Sequence, residues 1–210
     1  MKKHGQSDLD PAHIWVSPVE DNEDQRSAAH ALLVTLARSL GGEGEVRHEE
    51  SGRPVVDGLA VSLSHARGLV AVAAGRRGPV GVDLESRREF EVDGMARRWF
   101  DPVELTWLYQ QGDQVDAFLW LWTAKEAVGK ALGRGLRGSG LRRVMPFGGA
   151  TIVPSEPQLA VLRVPLRADA VLAVAVPSST SEVRLTEHHG AALRSTVTSR
   201  TSFPVVVRGN

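Results

Sequence analysis

Apolar and polar positions alternate along the first part of the chain in stretches that predict strands broken by a single early helix. His13 to Val16 reads as a short strand closed by Ser17 and Pro18. From Asp21 to Leu40 acidic residues fall in the first turn and apolar residues recur at Ala29, Leu32, Leu33, Leu36 and Leu40, so an amphipathic helix is predicted, ended by Gly41 and Gly42. Between Gly52 and Glu85, the runs LAVSLSH, LVAVAAG and PVGVDLE are separated by turn residues, the pattern of adjacent strands.

After a charged linker from Ser86 to Glu91 the period becomes helical. MARRWF closes one short helix, and Asp101-Pro102 places an N-cap before a first-turn proline. Asp113 or Asp116 opens a longer helix running to about Gly133. From Arg142 to Glu187 strand-like runs return: RVMPF, LAVLRVP, AVLAVAVP and EVRLTE. The order strand, helix, strands, helices, strands predicts an α+β protein of two similar α/β lobes, residues 1–90 and 91–189, without a residue-level repeat. The Ser-, Thr- and Arg-rich tail at 190–210 is expected to be loose, with Phe203 to Val207 able to dock as an edge strand.

At 210 residues the chain can bury a substantial core, and 42% hydrophobic and 24% charged residues are ordinary for a soluble domain. Lys plus Arg and Asp plus Glu both total 25, so no global field draws the chain to nucleic acid, and aromatics at 5% offer few stacking platforms. The lack of cysteine excludes disulfides, thiolate metal sites and a cysteine nucleophile. No apolar run has signal-peptide or membrane-span length, so a cytoplasmic protein without membrane contact is expected.

Two acidic segments carry the candidate chemistry. In GVDLE, Asp83 and Glu85 are two apart on a strand and face one side. In WTAKEAVGK, Trp122, Glu126 and Lys130 recur every four residues and line one helical stripe. Taken singly, such residues are most often solvated surface. Together they follow a very apolar strand and a tryptophan-flanked helix, where a buried carboxylate is costly unless a cation compensates it. Hard oxygen donors of this kind suit magnesium beside a diphosphate. Ser64 and His65 end another apolar strand and can donate to phosphate; Arg53 in the GRP turn and Arg26 on the first helix add guanidinium groups. No P-loop of the form GxxxxGK[ST] is present.

In this order the blocks GRP, SLSHARG, GVDLE, RRWFDPVEL and WTAKEAVGKALGRGL, over about Arg26 to Leu136, resemble the 4′-phosphopantetheinyl transferases. The resemblance is to the larger monomeric bacterial type that activates polyketide and nonribosomal peptide carrier proteins. It implies a pseudo-two-fold pair of lobes with coenzyme A in the cleft between them. Asp83, Glu85 and Glu126 match the magnesium-ligand positions, and Lys125 and Lys130 match lysines near the pyrophosphate. Arg26, Arg53, Ser64 and His65 match positions that contact the nucleotide end. The short acidic stretch between Ser17 and Arg26 departs from the lysine-bearing N-terminal region of the larger members, and from Val144 onward only the strand pattern matches.

The implied reaction moves phosphopantetheine from coenzyme A to a serine of an acyl or peptidyl carrier protein and releases adenosine 3′,5′-bisphosphate. Glu126 or a metal-bound water would take the serine proton, and Lys130 would neutralise the leaving phosphate. The alternative is a degenerate module that binds coenzyme A or a carrier protein without transfer. Arg97, Arg98, Arg134, Arg137, Arg142 and Arg143 are candidate docking charges for an acidic carrier helix.

Overall fold

The computed structural model describes residues 11–20, 24–136, 140–189 and 197–206. The first strand, β1 (Ala12–Pro18), leads into helix α1 (Gln25–Ser39). The acid at the start of α1 caps it from outside: the Asp24 carboxylate accepts from the Arg26 and Ser27 backbone N–H groups, and the first turn itself carries no acid. A small hairpin, β2 (Glu43–His48) and β3 (Pro54–Asp57), precedes β4 (Ala60–Ala66), β5 (Leu69–Gly75) and β6 (Gly81–Ser86). Three helices follow: α2 (Asp93–Trp99), α3 (Pro102–Tyr109) and α4 (Gln114–Ala131). Asp113, not Asp116, caps α4. The chain closes with β7 (Ile152–Val153), β8 (Glu156–Val164), β9 (Ala170–Pro177), β10 (Glu182–His188) and β11 (Val197–Pro204).

The elements stack as helix, sheet, sheet, helix. One sheet has the order β11-β10-β1-β5-β4, and the other is β6-β9-β8-β7. Along β5, Val70, Val72 and Ala74 pack beneath α1 with Leu32, Leu33 and Leu36, whereas Ala71 and Ala73 face the second sheet. Along β9, Leu172, Val174 and Val176 face the first sheet, and Val171, Ala173 and Ala175 lie under α4. Each central strand is thus covered on both faces, which explains its unbroken apolar run.

Strands cross the sequence break near residues 86–92. β6 belongs by sequence to the first half yet pairs antiparallel with β9, while β10 pairs parallel with β1. The stretch read as a loose tail contains β11, paired antiparallel with β10 from Glu182 and Pro204 to His188 and Val197; residues 190–196 and 207–210 lie outside the described part. RVMPF is not a strand: it follows a short 3-10 turn at Gly140–Arg142 and supplies backbone acceptors and donors to α3 and α4.

Those donors meet a fully buried ion pair. Lys125 of α4 donates to both carboxylate oxygens of Glu104 on α3, at 2.8 and 2.7 Å, and to the Arg143 carbonyl, and it lies 5.2 Å over the Phe100 ring. The Glu104 carboxylate also accepts from Met145 N at 2.8 Å and from Asp101 N at 3.0 Å, completing the capping box of α3. Burial pulls the Lys125 ammonium down and the Glu104 charge opposes that. Removing one partner leaves the other charge stranded. Lys125→Ala is therefore expected to cost about 3–5 kcal/mol in denaturant unfolding; a loss under about 1 kcal/mol, the range of a surface pair, would contradict this role.

Candidate active site at the junction of the two sheets

Two edge strands meet where the sheets join, and side chains rather than a backbone ladder bind them. On β4, Ser62 Oγ accepts from Val82 N at 3.1 Å and Ser64 Oγ accepts from Leu84 N at 3.3 Å. Ser64 also donates to Asp83 Oδ1 at 2.8 Å. From α4, Lys130 Nζ donates to Leu63 O of β4 at 3.3 Å, to Val82 O of β6 at 3.1 Å and to Asp83 Oδ1 at 2.7 Å. Helix α4 sits close enough to do this because β6 starts with Gly81. A methyl group there would run into the Ala127 carbonyl oxygen of α4.

The predicted helical stripe is present. Between Ala117 and Ala131 the α4 side chains are buried except at Trp122, Glu126, and Lys130, which are partly open. Asp83 is 5% exposed, its Oδ1 accepting hydrogen bonds from Ser64 and Lys130 and its Oδ2 buried with no hydrogen-bond partner among the described residues. Glu85 and Glu126 are half-buried beside it. Burial, then the Asp83 charge, pushes the Glu85 carboxyl up, against an opposing hydrogen bond from Trp122. Burial and Asp83 push Glu126 up likewise, with Lys130 opposing.

Asp83 is near enough for its charge to act on both Glu85 and Glu126, while as the side chains stand no group of three acids or histidines among the described residues forms a metal cage. The chemistry nonetheless fits a hard cation. A buried carboxylate oxygen with no partner among the described residues and two carboxyls held up by burial and a neighbouring charge are relieved by positive charge, and magnesium needs only one or two protein carboxylates.

The other expected contacts divide. Arg53 lines a cleft of about 340 Å³ together with Lys130, Arg134, Pro54, Leu63 and Leu136. Ser64 is buried and its hydroxyl donates to Asp83, which turns it toward the acid cluster. His65 points to the other side of β4: it pairs with Val70, whose side chain lies under α1, and it is exposed. Arg26 is exposed in the first turn of α1, outside the cleft lining. Lys125 is not brought to the site at all, because its ammonium is enclosed by Glu104, the Arg143 carbonyl and the Phe100 ring. Lys130 is at the site, but its ammonium is engaged by Asp83 and two carbonyls.

Several residues that matter were not singled out from sequence. Glu104 was visible in principle, since Asp101 and Glu104 have capping-box spacing, but no local signal pairs it with Lys125. Ser62 carries no motif beyond its neighbours, and Trp122, although placed on the stripe, gave no sign in sequence that its side chain bonds Glu85. Among the arginines considered for docking, Arg97 pairs with Asp93, Arg142 donates to the Phe100 and Arg98 carbonyls, and Arg137 lies outside the described residues. A larger groove of about 450 Å³, walled by Trp107, Trp120 and Phe147, lies away from the acids. Its own carboxylates, Asp113 and Asp116, are paired with Arg87 and Arg163.

Comparison with known proteins converges on one family. A family model described as the 4′-phosphopantetheinyl transferase superfamily matches residues 79–172. That stretch includes Asp83, Glu85, Glu126 and Lys130 and leaves Arg26, Arg53, Ser64 and His65 outside. The chain is 37% identical over 93 residues to 4′-phosphopantetheinyl transferase gsp of Aneurinibacillus migulanus, covering 43% of this chain and 38% of the relative. It is 29% identical over 167 residues to 4′-phosphopantetheinyl transferase HetI of Nostoc sp., covering 60% of this chain and 70% of the relative. A 4′-phosphopantetheinyl transferase of Bacillus subtilis is 31% identical over 93 residues, 42% of this chain and 41% of that one. The chain thus spans only about two fifths of two of these relatives.

The raised carboxyls have a consequence for stability. Glu85 and Glu126 bind protons more readily folded than unfolded, so stability falls as pH rises from the ordinary carboxylate range through their raised values. Glu126→Gln removes one of the repelling charges and breaks no side-chain hydrogen bond recorded among the described residues. It is expected to raise the melting temperature at neutral pH by about 2–4 °C, the shift that ~1 kcal/mol gives in a chain of this size, and to flatten the pH dependence. A variant that melts at or below the wild-type temperature would contradict the repulsion.

Proposed function

We propose that this chain, which is similar over residues 79–172 to the 4′-phosphopantetheinyl transferase superfamily, transfers 4′-phosphopantetheine from coenzyme A to a serine hydroxyl of an acyl or peptidyl carrier protein. The observation that carries this reading is the Asp83, Glu85, Glu126 cluster beside a cation-lined cleft, inside the stretch that the family model matches. Asp83, with Glu85 and Glu126 as its charged neighbours, would hold magnesium, which when bound supplies charge neutralisation to the pyrophosphate. Asp83 is oriented for this by Ser64 and Lys130, so its free oxygen is fixed before any ligand arrives.

Glu126 is the proposed base. Its carboxyl is held above the ordinary range by burial and by Asp83, which brings its proton affinity nearer to what proton abstraction near neutral pH requires. The serine oxygen forms a bond to the phosphorus that carries pantetheine as its proton passes to Glu126. The bond from that phosphorus to the bridging oxygen breaks, and adenosine 3′,5′-bisphosphate leaves with the electron pair. The nucleophile belongs to the carrier, in keeping with a chain that has no cysteine. Two sheets, each backed by one long helix and joined at the β4 and β6 edges, agree with a pseudo-two-fold pair of lobes around the coenzyme A cleft. A monomer is part of this reading. Among the described residues no helix is long and apolar enough to cross a membrane.

The test is incubation with apo carrier protein, coenzyme A and magnesium, read as a mass gain of one phosphopantetheine on the carrier. Asp83→Ala and Glu126→Ala are each expected to lower transfer by at least about a hundredfold while remaining folded. Near-wild-type transfer by either would overturn the assignment of that residue. Coenzyme A binding by the wild type without any mass gain would favour the non-transferring module instead.

A further inference from the structure

We propose that Arg134, placed beside Arg53, is a phosphate-binding residue of the cleft; this rests on the reading of that cleft as the coenzyme A site. The cleft needs a positive charge other than Lys130. An ammonium has three N–H donors, and in Lys130 they meet three acceptors: Leu63 O, Val82 O and Asp83 Oδ1. Its charge is already matched by Asp83.

Arg53 and Arg134 are differently placed. Both line the cleft, no carboxylate does, and neither guanidinium has an acceptor among the described residues. The backbone brings them together. After α4 ends, Gly133 takes a left-handed φ of 67°, and a side chain at Gly133 would meet Arg53 Nη1 at 2.6 Å, so the Arg53 guanidinium lies directly on the residue that precedes Arg134. The stem of Arg134 is fixed in turn: Arg134 N and Gly135 N both donate to Gly129 O, at 2.9 and 3.0 Å, and a methyl on Gly129 would collide with the Gly135 carbonyl.

Two arginines that line one cleft, with no carboxylate in its lining, present positive charge that an anion can join. Guanidinium groups are the side chains best suited to grip phosphate oxygens in pairs. The apolar side of the same cleft, from Pro54, Val61, Leu63 and Leu136, offers a surface for the flat part of a nucleotide. Arg134 is therefore a ligand-side charge and not one of the carrier-docking arginines.

The experiment compares wild type with Arg134→Gln, an exposed position at which folding is checked by the melting temperature. Coenzyme A binding is measured by calorimetry, and KM for coenzyme A and for the carrier by the loading assay. The expected result is a roughly ten- to hundredfold weaker Kd and a raised KM for coenzyme A, the loss of one charge-assisted contact, with the KM for the carrier unchanged. Equal weakening of coenzyme A and 3′-dephospho-coenzyme A supports contact with the pyrophosphate, and weakening of coenzyme A alone supports contact with the ribose phosphate. Unchanged coenzyme A binding, or an effect confined to the carrier KM, overturns the inference and leaves the transferase reading standing. A wild-type chain that binds no coenzyme A overturns both.

Discussion

The structure turns on one ammonium group. Lys130 reaches from α4 to a carbonyl of each edge strand and to the Asp83 carboxylate, so a single charge joins helix, first sheet and second sheet. Edge strands left unpaired invite other chains. Here the β4 and β6 edges are closed against each other by Ser62, Ser64 and Lys130 rather than by a continuous ladder. That choice has a chemical result. A backbone ladder carries no charge, whereas a side-chain junction leaves a carboxylate at the point of contact.

The same junction concentrates unfavourable electrostatics. Asp83 has one buried oxygen with no hydrogen-bond partner among the described residues, and burial together with its charge raises both neighbouring glutamates. Groups arranged this way destabilise the chain by itself and are relieved by a bound cation, which is the usual trade between stability and activity at a site. The pair of Lys125, next to Glu126 along α4 but on a different face, with Glu104 of α3 is the contrasting case. All of its bonds are satisfied within the protein, so it locks α3 and the 143–145 segment onto α4 and leaves nothing for a ligand.

Much of this was legible beforehand. The strands β4, β5, β6, β8, β9 and β10 and the helices α1 to α4 follow runs whose period and caps are local properties, and Asp101 with Pro102 marks the start of α3 as closely as any motif can. The stripe of Trp122, Glu126 and Lys130 likewise follows from helical spacing alone. The hairpin of β2 and β3 was missed because β2 is mostly polar, β3 is only four residues long and the pairing is irregular, with a register shift between Glu43 and Arg47. RVMPF misled for the opposite reason: its apolar residues are buried by tertiary contact, as Met145 is, and not by strand pairing.

Residue chemistry and local periodicity determined which side chains carry charge, which face of α4 they occupy and that Asp83 and Glu85 share a side of β6. Tertiary structure alone decided their partners. Two lysines five residues apart on α4 point to different surroundings, so Lys125 is enclosed by Glu104 while Lys130 reaches Asp83, and a helix viewed in isolation cannot say which environment lies over which face. In the same way β6 joins the second sheet, Ser64 turns to Asp83 instead of outward, and Arg134 comes to rest beside Arg53. Each of these depends on contacts between residues far apart in sequence, whose free energy comes from burial and pairing that no local window contains.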